Sequence, residues 1–282
     1  MFTTGAGFPP DVRRRPGWVE DAQRPVQVVD HIPHVNTDQN SVEYAEETTF
    51  TNAADGVAEG ATLVESTFAI TNQTVPIEDI GTFVTVTLNQ LDDEGQARLY
   101  LDQRLPFAVR QKLDEFVIDG AGSNNDLTGF LTKVNVQKFK VADNGKPIDE
   151  FLKAKVINVE KTGRAMASMA VMLHDVWLAM ATAKGNDQYY LGSPGVDFER
   201  RIWGMPVVLS DHGFAYAADA DSAGLVGDFS MFSYLAVRRD LTIQVGWKND
   251  DLPKRQITLV AWMRAALVIT RPEAFCIIQR KA

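Results

Sequence analysis

Two histidines, His31 and His34, are spaced closely enough to suggest a metal site. A structural zinc site takes four protein ligands, and a catalytic one takes three protein ligands and a water. No cluster of cysteines or carboxylates accompanies this pair, so the sequence predicts that neither histidine binds a metal. The other two histidines, His174 and His212, are far apart in the chain.

A possible calcium loop begins at Asp219 and Asp221 and continues to Gly224. Calcium loops of this kind end on a glutamate that binds the ion through both carboxylate oxygens. Ser230 stands in that position here. The sequence therefore favours a polar surface loop over a calcium site.

The sequence contains no recognisable pattern for catalysis or for cofactor binding. Both the nucleophile elbow Gly-x-Ser-x-Gly and the phosphate-binding pattern Gly-x-x-x-x-Gly-Lys-Ser/Thr are absent. Glu43, Glu46 and Glu47 are close in sequence, but they lie on a predicted strand that offers no reason for a raised carboxyl pKa. We predict no catalytic residue, no cofactor and no metal. A cytoplasmic enzyme with an unrecognised site is retained as an alternative.

The composition is that of a globular protein, with 45% hydrophobic and 23% charged residues. The net charge of −9 excludes a dedicated nucleic-acid binder, because affinity for phosphates comes mainly from lysine and arginine. The single cysteine, Cys276, lies in an apolar run and is predicted to be a core residue, so no disulfide is expected within the chain. The first five residues lack the basic and apolar regions of a signal peptide, which predicts a cytoplasmic site of synthesis.

The most apolar stretch of the chain runs from Gln256 to Ile278. A membrane helix needs about 20 apolar residues, but Arg264 and Arg271 inside this stretch oppose insertion into a bilayer. Alternate residues from Ile257 to Ile269 are all apolar, and most of the residues between them are apolar too. This pattern predicts a long strand that is buried against a helix on at least one face.

An amphipathic helix is predicted between Leu91 and Gly120, and it could cover that strand. Pro106 lies inside the helical pattern and predicts a kink or break near Leu105. The glycines of Gly120–Gly122 end the helix. Its apolar positions follow helical spacing: Leu101, Leu105, Val109, Leu113, Phe116 and Val117.

A long β-hairpin is predicted from Ser41 to Leu88, with Asp55-Gly56 as a turn signal near its tip. A two-stranded ribbon is at best marginally stable by itself in water. It must either fold onto its own domain or lie across a neighbouring molecule, and we favour the neighbour.

The first 25 residues are rich in glycine and proline and resemble an extended arm. Arg13–Arg15 could contact nucleic acid or an acidic neighbour, although a solvated triplet explains it more simply. Trp18 suggests packing against another subunit, because the arm has no core of its own. Val26–Val29 is predicted to be a short strand. Helices and strands then mix without a βαβ rhythm, which indicates an α+β fold.

Four segments in the last eighty residues form an ordered series of motifs: Ile202–Val207, Gly224–Ser230, Leu235–Gly246 and Ala261–Phe275. Three earlier elements fit the same series: Ala58–Gly60, Asp119–Ser123 and Thr128–Leu131. Together they resemble the major capsid protein family of tailed bacteriophages, which has the Hong Kong 97-type capsid fold. The resemblance covers roughly Val42 to Ile278.

The resemblance implies an N-terminal arm, an extended β-hairpin loop, a peripheral domain with a long spine helix and long strands, and an axial domain. The arm would be residues 1–25 and the extended loop 41–88. The axial domain would be 143–254. The peripheral domain would combine 26–40, 89–142 and 255–282.

The resemblance further implies a structural shell protein that self-assembles into hexamers and pentamers of an icosahedral head, made in the host cytoplasm and present in the virion. The implied partners are other copies of the chain, scaffolding and portal proteins, and packaged double-stranded DNA contacted non-specifically, with no membrane. The need for a decoration protein is left open. The scaffold is expected either to be a separate protein or to be a segment that the given sequence lacks. An encapsulin-type shell around a cargo enzyme is the alternative within this fold.

The residues expected at contacts between subunits are Trp18, Phe50, Glu59, Phe68 and Trp203. Some relatives form covalent cross-links from a lysine on the extended loop. The first lysine of this sequence is Lys112, so no such cross-link is predicted.

Overall fold

A computed structural model of the protein describes residues 22–89, 95–140, 147–185, 188–189, 200–214, 222–248 and 251–279. The α-helices in these ranges are α1 (Gly95–Asp119), α2 (Pro147–Lys153) and α3 (His174–Ala181). Helix α2 continues directly into a π-helical segment, Ala154–Thr162. Short 3-10 helices cover Val29–His31 and Pro272–Ala274.

The first sheet contains the two longest strands. Its order is β1 (His34–Asn36), β12 (Ser233–Gly246), β13 (Gln256–Ile269) and β4 (Glu78–Thr87). Strand β13 is antiparallel to both β12 and β4, and β1 runs parallel to β12. Strands β12 and β13 have 14 residues each, more than twice the usual length of about 5–6. The predicted long strand is therefore present.

The second sheet is assembled from shorter strands. Its order is β5 (Gln137–Lys140), β14 (Phe275–Gln279), β11 (Ser222–Gly227), β6 (Met169–Met172), β10 (Met205–Leu209) and β9 (Arg201–Ile202). Strand β14 belongs to the apolar run that was expected to continue from β13. The 3-10 turn at Pro272 interrupts that run, because proline lacks an N–H for the strand ladder. The run thus links the two sheets.

A two-stranded ribbon, Ser41–Pro76, projects from the first sheet. Its strands β2 (Ser41–Thr51) and β3 (Thr67–Pro76) are antiparallel from Ser41 opposite Pro76 to Thr51 opposite Thr67. The prediction of a long hairpin is confirmed for these residues. Residues 78–87 form β4 and pair along β13, so they belong to the first sheet rather than to the hairpin. A further small hairpin joins β7 (Lys184–Gly185) and β8 (Gln188–Tyr189).

Helix α1 packs on β13 and β4. Leu105, Val109 and Leu113 are buried in the same hydrophobic core as Leu259 and Ala261 of β13. The helix continues through Pro106, so a break there is wrong, while the alternative of a kink stays a prediction. Tertiary packing of an apolar helix face outweighs the loss of one main-chain hydrogen bond, since packing supplies most helical stability in proteins.

Gly120 ends α1 as predicted. A Cβ at this position would lie 2.1 Å from the carbonyl oxygen of Leu127, so only glycine permits this close approach. The Gly129 N–H donates to the Gly120 carbonyl at 2.9 Å, which fastens the following turn beneath the helix. Phe130 then enters the core, where its ring lies 5.1 Å from that of Phe229 and 4.9 Å from that of Phe275.

The predicted strand at Val26–Val29 is absent. The N–H groups of Val28 and Val29 donate to Oδ1 of Asp114 at 2.8 and 3.0 Å instead of joining a ladder. Asp114 is fully buried on α1. The Asp114 carboxylate on α1 therefore accepts the main-chain hydrogen bonds that a neighbouring strand would have accepted.

The ranges expected for the peripheral domain and the range expected for the axial domain each contribute strands to both sheets. Strand β12 falls within 143–254 but pairs with β13 in the first sheet. Strand β14 falls within 255–282 but pairs with β11 and β5 in the second sheet. The chain instead passes between the two sheets at short turns, since β11 of the second sheet is followed by β12 of the first, and β13 of the first is followed by β14 of the second.

Candidate assembly surfaces

The root of the ribbon is fixed to its own chain. The Tyr44 hydroxyl donates to the main-chain carbonyl of Ile269 on β13 at 3.0 Å. Burial is the main cause of the raised pKa of Tyr44, and the nearby Glu46 carboxylate adds to it. A small core separate from the main one forms here from Val42, Tyr44, Val75, Ile77, Tyr234, Ala236, Ala266 and Val268. This part of the hairpin thus folds onto its own domain.

The distal part of the ribbon has a different surface. Phe50 and Phe68 face each other directly across β2 and β3 and are 62% and 67% exposed. Because both rings are mostly exposed, they leave a large apolar area in contact with water. A cross-strand aromatic pair stabilises a sheet only modestly, so this pairing offsets little of that exposure. Other exposed apolar residues on the ribbon are Val57, Leu63, Val64 and Ile70. Exposed apolar clusters of this kind mark interaction surfaces.

The ribbon is also uniformly acidic. Its carboxylates are Glu43, Glu46, Glu47, Asp55, Glu59 and Glu65, and Ser41–Pro76 contains no lysine or arginine. Glu59 is exposed in the turn at the tip, where the Ala61 N–H donates to the Ala58 carbonyl at 3.0 Å. Gly60 adopts a φ of +84° in this turn, a conformation that favours glycine.

A cleft of about 630 Å³ lies between the ribbon and the main body. Glu46, Glu47 and Phe50 line it on the ribbon side, and the charged residues on the other side are Arg164, Arg271 and Glu273. Two glutamates of the ribbon therefore face two arginines and one glutamate across the cleft.

Trp203 is held by its own chain and is also partly exposed. Its indole Nε1 donates to the carbonyl of Ile148 at 2.8 Å, and Lys155 Nζ donates to the Trp203 carbonyl at 3.0 Å. Its φ of +49° places it in the turn before β10. With 45% of its surface exposed, Trp203 still presents part of its ring outward.

Trp18 and the rest of the predicted arm through residue 21 lie outside the described residues. Of the five predicted contact residues, the structure therefore places four. Phe50 and Phe68 form a pair, Glu59 lies at the ribbon tip, and Trp203 lies in the turn before β10.

The face of the first sheet opposite α1 carries aromatic rings next to cations. Trp262 is half-buried, and the Arg239 guanidinium lies 4.4 Å from the centroid of its ring. Lys248 Nζ lies 4.3 Å from the centroid of the exposed Phe83 ring. Trp262 pairs with Gly81 on β4, where a Cβ would lie only 2.9 Å from the Trp262 Cβ. The missing side chain at Gly81 makes room for the indole.

The candidates for chemistry are not brought together. His31 and His34 are both exposed, and no group of three or more potential metal ligands occurs in the described ranges. Asp219 and Asp221 lie outside those ranges, while the Ser230 hydroxyl donates to Asp228 at 2.9 Å. No described helix is long and apolar enough to cross a membrane.

Cys276 is a fully buried core residue, as predicted. Burial raises the pKa of its thiol to about 11. Asn158 Nδ2 lies 3.0 Å from its sulfur. A thiol of this kind is inert, because the thiolate is the reactive form.

Sequence reasoning missed three residues that shape the ribbon root, the segment before β1 and the first sheet: Tyr44, Asp114 and Gly81. Tyr44 occupied an ordinary position in a strand pattern, and its partner is 225 residues away. Asp114 is a charged residue next to the apolar positions Leu113 and Phe116 of the predicted helix, and this placement was the signal that the sequence offered. Gly81 interrupts a strand of β-branched residues, which often marks a close approach.

Solved structures share this architecture. The capsid of a native GTA particle aligns with a TM-score of 0.81 at 18% identity, covering 99% of this chain and 98% of that one. The Mycobacterium phage Adephagia structure aligns with a TM-score of 0.72 at 16% identity, covering 95% of both chains. At these identities the alignments establish the fold, which is the Hong Kong 97-type capsid fold of the α+β class.

The sequence itself establishes the family. The model of the phage capsid family matches residues 14–280. The major capsid protein of Enterobacteria phage HK97 is 26% identical over 261 residues, which cover 92% of this chain. The aligned region spans 66% of that relative, slightly less than two thirds of its length. The chain belongs to the phage capsid family.

Proposed function

We propose that this chain is the major capsid protein of a tailed double-stranded DNA phage and forms the hexamers and pentamers of an icosahedral head. The observation that carries the proposal is the divided ribbon. Its root packs on its own sheet, while its distal half exposes Phe50, Phe68 and Ile70 to water. Such a surface is expected on a shell subunit whose exposed apolar residues are buried by neighbouring copies.

The parts of the subunit have distinct roles in this proposal. Helix α1 and the first sheet form the peripheral body, and the second sheet with α2 and α3 forms the axial body. The ribbon reaches a neighbouring copy and serves as the extended loop. Because the ribbon contains no lysine, the contacts between copies are non-covalent.

The charge of the chain suits a container for DNA. With a net charge of −9, the inner wall contacts packaged double-stranded DNA weakly and non-specifically. Assembly takes place in the host cytoplasm with scaffolding and portal proteins, and the product is the virion shell. The family match and the relatives described above favour a phage head over an encapsulin-type compartment.

The experiment that tests this function is assembly of the purified chain. Sedimentation velocity over a concentration series is combined with cryo-electron microscopy of the fastest species. Closed shells with icosahedral symmetry are expected, without scaffold or on co-expression with it. A chain that stays monomeric or dimeric under both conditions would contradict the proposal.

A further inference from the structure

A recess of about 440 Å³ opens beside the C-terminal half of α1. It lies next to the loop that follows β10 and reaches solvent at Ala108 and Lys112, both of which are exposed. The residues that line it are Arg24, Ala108, Gln111, Lys112, Glu115 and His212. None of these residues belongs to the ribbon or to the surfaces described above.

The main chain around Arg24 is held in place by α1. Gln111 Nε2 donates to the carbonyl of Arg24 at 3.1 Å. Four and five residues further on, the N–H groups of Val28 and Val29 donate to the buried Asp114 carboxylate. The helix therefore fixes where Arg24 enters the recess.

The Arg24 guanidinium has two donors with no acceptor. Its Nε and Nη2 atoms are buried and make no hydrogen bond. These two N–H groups share one edge of the planar guanidinium, the geometry that binds the two oxygens of a carboxylate or phosphate. Buried donors are nearly always satisfied in folded proteins, so the site lacks an acceptor.

No acidic residue in the described part of the chain supplies that acceptor. Glu115 is the acidic residue that lines the recess, but both of its oxygens are engaged. Oε1 lies 2.6 Å from Lys112 Nζ, and Oε2 lies 2.9 Å from His212 Nε2. Burial alone would raise the pKa of Glu115, but the hydrogen bonds and charges of these two partners outweigh it and lower that pKa.

The charges around the recess favour a single monoanion. With His212 counted as neutral, Arg24 and Lys112 contribute two positive charges and Glu115 contributes one negative charge, which leaves one positive charge in excess. Asp119 lies one helical turn beyond Glu115, and burial and the Glu115 charge both raise its pKa. A nucleic-acid backbone would bring several phosphates towards these two acids, whereas one carboxylate matches the excess charge.

We infer that the recess is a carboxylate-binding site filled in the assembled shell by an acidic side chain of a second copy of this chain. The inference rests on the proposed function. The ribbon supports this occupant, because Ser41–Pro76 contains six carboxylates, Glu43, Glu46, Glu47, Asp55, Glu59 and Glu65, and no lysine or arginine. Its distal half is exposed and can carry an acid to a neighbour.

The direct test is a cryo-electron microscopy map of the assembled shell that resolves side chains. We expect a carboxylate from another copy within hydrogen-bond distance of Arg24 Nε and Nη2. A phosphate, a carboxylate of the same copy, or no acceptor at all at this edge would overturn the inference, while the shell itself would still support the proposed function. Absence of any shell would defeat both.

Three variants provide an independent test: Arg24→Gln, Arg24→Lys and the control Arg110→Gln. Arg110 is exposed on α1, the helix that lines the recess, and pairs with Asp30 at 2.7 Å. A hydrogen bond to a charged group contributes enough affinity that Arg24→Gln should raise the critical concentration for assembly by roughly 10- to 100-fold. Arg24→Lys should recover part of that loss, since lysine cannot bind bidentately. Arg110→Gln should assemble normally.

The stability of the isolated subunit separates this role from a structural one. Arg24→Gln removes donors that have no acceptor, so the denaturation midpoint of the subunit should stay the same or rise. A loss of subunit stability that matches the loss of assembly, or normal assembly by Arg24→Gln, would overturn the inference. If Arg24→Gln does not fold, the shell map decides.

Discussion

The Tyr44 hydroxyl on the ribbon donates a hydrogen bond to the main-chain carbonyl of Ile269, at the end of the long central strand β13. The two residues are 225 positions apart in the sequence. This contact marks the boundary between the root of the ribbon, which packs on its own chain, and the exposed distal part. On one side of Tyr44, the small core around Ala266 and Val268 buries the root. On the other side, the strands continue to Phe50 and Phe68 without cover.

Replacing Tyr44 with Phe should loosen the ribbon root. The substitution removes one hydrogen bond and leaves the Ile269 carbonyl without its donor, which should cost about 0.5–1.5 kcal/mol of unfolding free energy. Hydrogen exchange should increase in β2 and β3 but not in β12. Equal exchange in the variant and the unaltered chain would show that the hydroxyl does not anchor the ribbon.

The raised pKa of Tyr44 adds a pH dependence to this contact. Its ordinary value is 10.0, and burial and Glu46 shift it upward. A pKa that is higher in the folded state contributes stability that is fully present below the unfolded value and is lost as the pH rises through the folded value. The stability difference between the unaltered chain and the Tyr44→Phe variant should therefore be constant near neutral pH and shrink only above about pH 10.

Replacing Phe50 with Ser should impair assembly without unfolding the subunit. Phe50 is 62% exposed, so it adds little to the stability of the isolated chain, and the unfolding free energy should change by less than about 0.5 kcal/mol. In a shell contact the same ring would be buried, and its loss should raise the critical concentration for assembly at least tenfold, as large interface side chains do. Sedimentation velocity measures this concentration.

The matched control is Phe50→Leu, which keeps an apolar side chain opposite Phe68. This variant should assemble nearly as well as the unaltered chain. If the serine variant forms shells at the same concentration as the leucine variant, the ribbon contact is not apolar and the proposed role of the Phe50–Phe68 pair is wrong.

Much of the fold could be predicted because local periodicity specifies it. Alternation with a period of two identified β13 and the ribbon strands, and a period near 3.6 identified α1. The glycines after Asp119 marked its end. These signals depend only on near neighbours in the sequence, so a single sequence contains them.

The unpredicted features depend on partners distant in the sequence. The 3-10 turn at Pro272 moves β14 to the other sheet, and the pairing of β4 with β13 decides where the hairpin ends. The division of the ribbon at Tyr44 depends on Ile269, and the lost strand at Val26–Val29 depends on Asp114. Alternation predicted that the ribbon was a strand pair, but burial by a distant sheet determined which half stays exposed.

Replacing Gly81 with Ala should destabilise the first sheet. The new Cβ would lie 2.9 Å from the Trp262 Cβ and 3.1 Å from the Ala261 carbonyl oxygen, so the indole and the strand would have to shift. Overpacking of this kind costs about 1–3 kcal/mol. Urea denaturation followed by tryptophan fluorescence measures both the loss of stability and the changed surroundings of Trp262.

Gly246→Ala is the control for that substitution. Gly246 lies at the end of β12 in the same sheet, and a Cβ there would meet no atom within 4 Å. Its replacement should leave the denaturation midpoint unchanged or raise it slightly, because alanine restricts the unfolded chain more than glycine does. Equal effects at the two glycines would show that the contact with Trp262 is not limiting.

Replacing Asp251 with Asn should remove a pH-dependent component of stability. Asp251 Oδ2 accepts hydrogen bonds from the Thr258 hydroxyl and the Lys248 N–H, both at 2.7 Å. The Thr258 bond is the largest cause of the lowered pKa of Asp251, and the Lys248 backbone bond adds to it. A lowered folded-state pKa contributes stability that is present above the ordinary value of 3.8 and is lost as the pH falls through the folded value.

The unaltered chain should thus be more stable than Asp251→Asn at neutral pH, and the difference should disappear as the pH falls below about 4. Thermal unfolding at a series of pH values measures this difference. Asp240→Asn, at an exposed position on β12, is the control for the loss of one carboxylate charge from this sheet. A difference between the unaltered chain and Asp251→Asn that is the same at neutral pH and in acid would contradict the assigned role.

Cys276 should react with thiol reagents only after the second sheet opens. Its side chain is fully buried on β14 between β11 and β5, and burial raises its pKa to about 11. At pH 7 a pKa near 11 leaves only about one thiol in ten thousand ionised, and the reagent also lacks access to the sulfur. Labelling of native protein with a disulfide reagent should therefore be slow and should accelerate sharply at the denaturation midpoint.

Gly227→Ala provides a matched perturbation for this labelling experiment. Its Cβ would lie 2.2 Å from the ring of Phe275, the residue before Cys276, and should loosen the pairing of β11 with β14. Rapid labelling of the unaltered chain at neutral pH would mean that β14 detaches in the native state.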